Sequence, residues 1–250
     1  MKFPPIRFLF TAAFCVTTAS QAPASDSADM IPVEFKQLSE SVWMHTSYKH
    51  YEKFGPVPAN GLIVAEGTQS ILIDSGWTDA QTDAILDWAR DDLKQPVTRA
   101  YFTHAHLDKM GGVGAVKSRD IETYALELSN ELALANGLQP AENDIHLSVG
   151  QDVLSVGLVD LFFPGGAHSH DNLVAYVAKD SLLYGGCMVR SAASKRLGNT
   201  QDADVLHWDT AIGLVKQRFP QVDIVVPGHG APAGPELLER TQVLVKRHVD

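Results

Sequence analysis

Cysteine is scarce in this chain, since only Cys15 and Cys187 occur among 250 residues, which allows one intramolecular disulfide at most. Basic clusters are also missing and the formal net charge is −10, which argues against nucleic acid or an anionic membrane as a partner. Hydrophobic residues make up 45% and charged residues 20%, as is ordinary for globular proteins. The length fits a single α/β domain.

The first residues are typical of a secretory signal peptide. Lys2 and Arg7 give the first residues a positive charge, and the apolar segment 8–16 follows. Ala22-Pro23-Ala24 then supplies the small side chains that signal peptidase recognises. The apolar segment is too short to span a bilayer stably. We therefore predict a signal peptide over residues 1–24 and a periplasmic mature protein, with a disordered N-terminal arm as the alternative. Phe14 before Cys15 argues against a lipoprotein signal, so no stable membrane anchor is expected.

Removal of this segment would leave Cys187 without an intramolecular partner. A single cysteine in an exported protein indicates a reactive thiol, an intermolecular bridge or a metal ligand.

Short apolar runs and helical patterns alternate along residues 25–250, which we expect to form one domain. Strands are predicted at 33–37, 42–45, 61–65, 70–73, 97–103, 122–125, 153–163, 173–177, 182–184 and 223–226, and helices within 76–93 and at 114–117, 126–135, 203–218 and 235–248. The two halves repeat this order, which favours two packed sheets with helices outside. The stretch 46–60, rich in Gly, Pro and aromatic residues, is predicted to be a long hairpin loop, and residues 137–152 are predicted to be turn-like.

Three potential metal ligands, His104, His106 and Asp108, alternate at the end of a predicted strand. Such residues can converge on one centre, and imidazole and carboxylate groups both bind zinc. Gly111 and Gly112 follow, and we expect them to allow a tight turn of the backbone there. The alternative for the motif by itself is a chance group of surface histidines.

Three further candidate ligands, His168, Cys187 and His229, lie beside glycines at predicted strand ends, where active sites of layered α/β proteins collect. Six ligands are enough for two zinc ions with three protein ligands each. Three ligands leave a position for water, as in catalytic zinc sites. His170 is an alternative to His168.

Taken together, these motifs resemble the metallo-β-lactamases, specifically subclass B1, from about Val33 to the C-terminal helix. The resemblance depends on HxHxD at 104–108, HSxDN at 168–172, GGC at 185–187, LGN at 197–199 and a late Gly-His. Other hydrolases of this fold, such as glyoxalase II and lactonases, usually carry HxHxDH. This chain has Lys109 at the position of that last histidine.

The resemblance implies an αβ/βα four-layer sandwich of two mixed sheets with outer helices, and a metal cleft at the sheet edges. It implies one zinc ion on His104, His106 and His168 and a second on Asp108, Cys187 and His229. It also implies a monomer that hydrolyses the β-lactam amide of penicillins, cephalosporins and carbapenems through a zinc-bound hydroxide, which gives antibiotic resistance.

Roles for Asp108, Asn199 and Arg190 follow from the same resemblance. Asp108 would orient the hydroxide and pass a proton to the leaving nitrogen, and Asn199 would stabilise the oxyanion. Arg190 replaces the lysine that usually binds the substrate carboxylate, and its alternative is a solvated surface arginine.

Asp74 is expected to support a zinc ligand or a loop, and Lys109 either supports the site or is exposed. We expect Tyr48, Phe54 and Val57 to fold over an apolar face of the substrate, with a merely solvated loop as the alternative, and Trp77 to be a core residue.

Two other functions remain open from the residues alone. A thioesterase or lactonase of the same fold is opposed by Lys109 and Cys187, and a non-catalytic zinc-binding protein is opposed by the open ligand sets and Asn199.

Overall fold

The computed structural model describes Met1 and residues 31–249, and residues 31–249 belong to one compact unit. The predicted signal peptide, residues 1–24, therefore lies outside the described residues apart from Met1. Within the described part of the chain, no helix is long and apolar enough to cross a membrane.

The first half forms a seven-stranded mixed sheet. Its strands follow the chain order and comprise β1 (Glu34–Gln37), β2 (Val42–Tyr51), β3 (Gly55–Glu66), β4 (Gln69–Ile73), β5 (Val97–Phe102), β6 (Glu122–Leu126) and β7 (Asn143–Ile145). Pairing is antiparallel from β1 to β4 and parallel from β4 to β7. Parallel pairs need crossover connections, and helices supply them here. They are α1 (Asp79–Asp91), α2 (Leu107–Met110), α3 (Val113–Lys117) and α4 (Glu127–Ala135).

The second half forms a five-stranded sheet. Its strands are β8 (Val153–Val156), β9 (Val159–Phe162), β10 (Val174–Val177), β11 (Leu182–Gly186) and β12 (Ile224–Pro227), and its helices are α5 (Val205–Arg218) and α6 (Glu236–Val249). The spatial order is β12-β11-β10-β9-β8, and only β11 and β12 run parallel, connected through α5.

Three apolar cores separate four layers, which confirms the predicted αβ/βα sandwich. In β4, Ile71 and Ile73 face the second sheet while Leu72 faces α1 and α3. In β11, Leu182 faces the first sheet while Leu183 faces α5 and α6. Successive side chains of a strand point to opposite faces, so strands buried on both faces are apolar at every position.

The predicted long loop at 46–60 is wrong, because β2 and β3 stay paired as far as Tyr51 and Gly55. Gly55 has φ +69° and closes the turn. The loop was suggested by Pro56 and Pro58. Both prolines lie in the part of β3 that pairs with β2 on one side but has no partner strand on the other, because β4 pairs only with Leu62–Glu66. A strand with one free side tolerates residues that lack an N–H donor.

Two smaller predictions also differ from the structure. The single strand expected at 153–163 is a hairpin of β8 and β9, and the turn-like stretch 137–152 contains the short strand β7. Gly157, with φ +61°, makes the turn of that hairpin. The helix predicted within 76–93 is present as α1, and Thr78 caps it: its hydroxyl accepts a hydrogen bond from the Gln81 backbone N–H at 3.3 Å.

Gly111 and Gly112 form the turn between α2 and α3, as expected, and they also serve close packing. Their φ angles are −64° and −112°, which any residue can adopt. A Cβ at Gly111 would lie 2.3 Å from the Trp77 carbonyl oxygen, and one at Gly112 would lie 1.8 Å from Oγ1 of Thr82. The glycines therefore let the chain after the metal-binding motif lie directly against the start of α1.

Leu72 is fully buried between the first sheet and its helices, so Leu72→Ala should create a cavity there. We expect the free energy of unfolding of the metal-free protein to fall by about 2–5 kcal/mol. Urea denaturation measures this change. The matched control is Leu206→Ala, which truncates a leucine that is 83% exposed on α5 and should change stability by less than about 0.5 kcal/mol. Equal losses in the two variants would contradict the layer assignment.

Candidate metal centre

Six potential ligands meet at one edge of the sandwich, where strands of both sheets end. His104, His106 and Asp108 follow β5 of the first sheet. The second sheet contributes His168 before β10, Cys187 directly after β11 and His229 after β12. The turns after these strands hold the side chains, so the site depends on how the two sheets are packed against each other.

The three histidines His104, His106 and His168 form the first ligand set. One nitrogen of each lies within 4.8 Å of the other two. Nδ1 of His106 is 3.2 Å from Nε2 of His168. Nε2 of His104 is buried and has no hydrogen-bond partner among the described residues.

Asp108, Cys187 and His229 form the second ligand set, directly beside the first. Sγ of Cys187 lies 3.4 Å from Oδ2 of Asp108 and 3.3 Å from Nε2 of His229. The same Asp108 oxygen is 3.4 Å from Nε2 of His229. Nδ1 of His229 donates to the Pro58 carbonyl oxygen at 2.5 Å, so the other ring nitrogen offers its lone pair to this set.

Both sets fit a metal ion. Nε2 of His104 is buried and unpartnered, and a buried polar atom without a partner is costly unless it binds something. Three histidine nitrogens suit Zn²⁺, and a thiolate with imidazole and carboxylate suits it as well. Each set has three protein ligands, which leaves the fourth position open.

Burial keeps three of the ligand histidines, His104, His168 and His229, in the neutral form that binds metals. It lowers the pKa of His168 to about 3, with help from neighbouring His106, and it lowers the pKa of His104 and His229 as well. Burial and nearby Asp108 raise the pKa of the Cys187 thiol. A coordinated thiol is deprotonated by the metal, so metal binding at this set releases a proton.

Lys109 is fully buried, so the structure decides between the two expectations for it. Its Nζ lies 3.2 Å from Oδ2 of Asp108 and donates to the Asn60 carbonyl oxygen at 2.9 Å. Burial by itself would raise the pKa of Asp108, but Lys109 and the surrounding histidines lower it. The carboxylate of the second set is therefore ionised at neutral pH.

Asp74 lies behind the first ligand set and has a left-handed backbone, with φ +62°. Its carboxylate accepts hydrogen bonds from the backbone N–H of Thr103 at 2.7 Å and from the Thr103 hydroxyl at 2.8 Å. That hydroxyl oxygen is 3.2 Å from Nδ1 of His104, so it is placed to accept that N–H. Burial raises the pKa of Asp74 to about 6, although Lys109 opposes this shift. Asp74 thus supports His104 through Thr103.

Sequence reasoning missed two acidic residues beside the histidines. Oδ2 of Asp202 lies 3.2 Å from Nε2 of His106, the arrangement in which a carboxylate orients a metal-binding histidine. Asp171 accepts from the backbone N–H of Ala105 at 2.8 Å and fixes the loop between the first two histidines. Asp171 belongs to the HSxDN motif, whereas nothing near Asp202 in the sequence indicated its contact.

A cleft of about 450 Å³ opens over the ligands. Its walls are formed by Tyr51, Trp77, Ala105, His106, Leu107, Asp108, Asn136, Leu138, His168, Asn199, Asp202 and His229. Trp77 is only 6% exposed, so the expected core residue is buried and also forms part of the wall. Its ring centroid lies 6.1 Å from that of Tyr51 on the β2–β3 hairpin.

The other hairpin residues have different positions. Val57 is paired with Lys49, two residues from Tyr51, and so shares the face of Tyr51. Phe54 lies at the tip and is 72% exposed. Tyr48 lies on the opposite face of the ribbon, and none of these three residues lines the cleft.

Arg190 is partly buried beside the loop that carries Asn199. Its Nη2 is 3.2 Å from where a Cβ on Gly198 would lie, and its Nε is buried without a partner among the described residues. Burial lowers the pKa of this guanidinium. Asn199 is exposed, and its Oδ1 accepts from the Gln201 backbone N–H at 3.2 Å, which leaves its amide group accessible from the cleft.

His168 and not its alternative His170 points toward the ligand sets. His168 is buried, whereas His170 is exposed and has Gly166 beside its ring. His45 lies outside both ligand sets, where it is buried and pairs with the Asp74 carbonyl oxygen at 3.1 Å. It therefore belongs to the scaffold.

Comparison with known proteins agrees with this geometry. The sequence profile of the Metallo-beta-lactamase superfamily matches residues 54–229. A metallo-beta-lactamase type 2 from Bacteroides fragilis is 33% identical, over 97% of this chain and 96% of the relative. The crystal structure of the metallo-beta-lactamase FIM-1 from Pseudomonas aeruginosa, in its mono-zinc form, is 46% identical with a TM-score of 0.85, over 88% of this chain and 97% of that one.

A crystal structure of a metallo beta lactamase from Hirschia baltica is 42% identical with a TM-score of 0.84, over 86% of this chain and 98% of that one. These likenesses span the described fold and the residues of both ligand sets. The chain therefore belongs to the metallo-β-lactamase superfamily, and it is a zinc-dependent hydrolase.

Proposed function

We propose that this protein is a subclass B1 β-lactamase that holds two zinc ions and hydrolyses the amide of penicillins, cephalosporins and carbapenems. It would act as a monomer in the periplasm and give antibiotic resistance. The observation that carries the proposal is the pair of adjacent three-ligand sets, one of three histidines and one of Asp108, Cys187 and His229, open to the same cleft.

His104, His106 and His168 would hold the first zinc ion, and Asp108, Cys187 and His229 the second. Zinc, when bound, lowers the pKa of a coordinated water to about 7 and so supplies a nucleophile for the β-lactam carbonyl at neutral pH. Neighbouring residues keep the first set in place, since Asp202 on the cleft wall orients His106 and Thr103 behind the site orients His104.

Asp108 would move the proton in this scheme. Its contacts with Lys109, Cys187 and His229 all involve Oδ2. Oδ1 is therefore available to orient the attacking water and to take its proton. The same oxygen can return that proton to the nitrogen released from the ring.

Asn199, on one wall of the cleft, and Arg190, beside the loop that carries Asn199, would position the substrate. The Asn199 amide can donate to the carbonyl oxygen as it becomes an oxyanion. Arg190 can pair with the carboxylate beside the ring nitrogen, because its guanidinium is buried in part and its Nε lacks a partner in the described structure.

The hairpin would cover the substrate from the other wall. Tyr51 and Trp77 already form an aromatic surface there. Phe54 and Val57 would add apolar contact when the tip moves toward a bound substrate, whereas Tyr48 faces away and is left out of this role.

Purified mature protein should contain two zinc ions and should hydrolyse nitrocefin. A chelator should abolish turnover, and added zinc should restore it. Elemental analysis of dialysed protein measures the stoichiometry. Hydrolysis that survives complete zinc removal would contradict the proposal, and a stoichiometry fixed at one would contradict the second site. Turnover of thioesters or lactones in place of nitrocefin would indicate another hydrolase of the same fold.

Cys187→Ser should lose the second zinc ion first, because serine is a poor zinc ligand at neutral pH. We expect a strong loss of nitrocefin hydrolysis with an unchanged circular dichroism spectrum. The zinc content should fall toward one. Unchanged hydrolysis with one zinc ion fewer would show that the second ion has no part in the reaction.

Arg190→Ala should raise KM roughly ten- to a hundred-fold, because a charge-assisted pair is worth about 1.5–3 kcal/mol. Arg190→Lys should recover much of this loss, since a point charge still reaches the carboxylate without the planar fork. Steady-state kinetics with one carbapenem and one penicillin, at unchanged zinc content, measure both effects. Lys195→Ala, exposed on the same loop, is the matched control. If Arg190→Ala behaves like this control, another cation binds the carboxylate.

A further inference from the structure

Asn60 is a residue of β3 whose side chain reaches into the second sheet. The side chain is almost fully buried, since Asn60 is 2% exposed. Its Nδ2 donates to the carbonyl oxygens of Pro227 at 2.9 Å and Gly230 at 2.8 Å. Its Oδ1 accepts from the Thr46 hydroxyl at 2.9 Å, so both ends of the amide are bonded. The two carbonyl groups lie on either side of His229.

The backbone of Asn60 is bonded to the same region. Its N–H donates to the Gly228 carbonyl oxygen at 2.9 Å. Its carbonyl oxygen accepts from Nζ of Lys109 at 2.9 Å and from the hydroxyl of Tyr184 at 2.6 Å. Lys109 in turn holds Asp108. Two of the three ligands in the second set are thus connected to one residue.

Besides Asn60, two other contacts hold the loop around His229. The Gly228 N–H donates to the Gly186 carbonyl oxygen at 2.7 Å, and Nδ1 of His229 donates to the Pro58 carbonyl oxygen at 2.5 Å. Gly228 and Gly230 flank the ligand, and Gly230 has φ +88°. Gly228 admits no side chain, since a Cβ there would lie 2.5 Å from Sγ of Cys187. Glycine leaves a backbone free to adopt many conformations, so external hydrogen bonds must select the one that directs His229 toward the metal.

We propose that Asn60 is a positioning residue that sets the affinity of the second ligand set for its metal ion. The amide fixes the backbone on both sides of His229, and the carbonyl group fixes Lys109 against Asp108. This inference rests on the two-zinc site of the proposed function.

The first ligand set is supported by other residues. Asp202 contacts His106, Thr103 contacts His104, and Asp171 fixes the loop between those histidines. Asn60 makes no hydrogen bond to any of these residues in the described structure. Loss of its amide should therefore weaken one metal site and spare the other.

Asn60→Ala separates the side chain from the backbone contacts. The variant removes the bonds to Pro227 and Gly230 but keeps the carbonyl group that accepts from Lys109. Loss of a residue that orients metal ligands typically costs about ten- to a hundred-fold in metal affinity. We expect that loss in the second zinc dissociation constant and a change of less than about threefold in the first.

Thr46→Val is the matched control. It removes the hydrogen bond to Oδ1 of Asn60 with nearly the same side-chain volume and leaves the bonds to the His229 loop in place. It should lower the stability of the fold without changing either zinc constant. If Asn60→Ala does not fold, Asn60→Ser is measured instead, with the same criteria.

Metal-free protein is titrated with Zn²⁺ against a chromogenic chelator to obtain both constants. Cobalt(II) titration provides a second readout, because the thiolate-to-cobalt absorption reports occupation of the set that contains Cys187. In Asn60→Ala this absorption should appear only at higher cobalt concentration, while first-site binding is unchanged.

Equal shifts of both constants, no shift in a folded variant, or the same shift in Thr46→Val would overturn the assignment of Asn60. Failure of the proposed function would be distinct, because wild-type protein would then not take up a second zinc ion at all.

Discussion

The two sheets must bring the lone pairs and buried charges of six potential metal ligands together at one edge of the sandwich. The rest of the structure depends on this constraint. Ligand atoms from α2 and from the turns after β11 and β12 lie 3.3–3.4 Å apart in the second set. Such a group is costly in a low-dielectric interior unless cations compensate it. The buried ammonium of Lys109 provides one positive charge from the protein, and the metal ions would provide the others.

The polar network behind the ligands links the first sheet to the second sheet through the apolar core between them. The single hydroxyl of Tyr184 in the second sheet lies 2.6 Å from the Asn60 carbonyl oxygen and 2.8 Å from Oδ2 of Asp74. Asn60 lies in β3 of the first sheet, and Asp74 directly follows β4. A fully bonded network of this kind permits only one relative placement of the sheets, because any shift would leave buried polar atoms unpaired. The apolar core provides most of the stability, and this network determines the geometry of the site.

Features that depend on neighbouring residues in the sequence were predicted, whereas features that depend on contacts between distant residues were not. The two packed sheets with helices outside follow from local apolar patterns, and they were predicted. The β2–β3 hairpin was mistaken for a loop, because its prolines are tolerated only where β4 ends. Local patterns say nothing about where a neighbouring strand ends. The packing role of Gly111 and Gly112 was missed for the same reason, since it depends on residues of α1 and the turn before it.

The sequence by itself determined the kind of chemistry: HxHxD, two later histidines and a lone cysteine beside glycines specify zinc ligands, and their resemblance indicates the family. Only the tertiary structure decided how the ligands are supported. It buried Lys109 against Asp108, placed Asp202 beside His106, and put Asn60 across the His229 loop. Asp202 and His106 are 96 positions apart in the sequence, and Asn60 and Gly230 are 170 positions apart. Local sequence patterns do not encode pairings at such separations, because packing of the two sheets creates them.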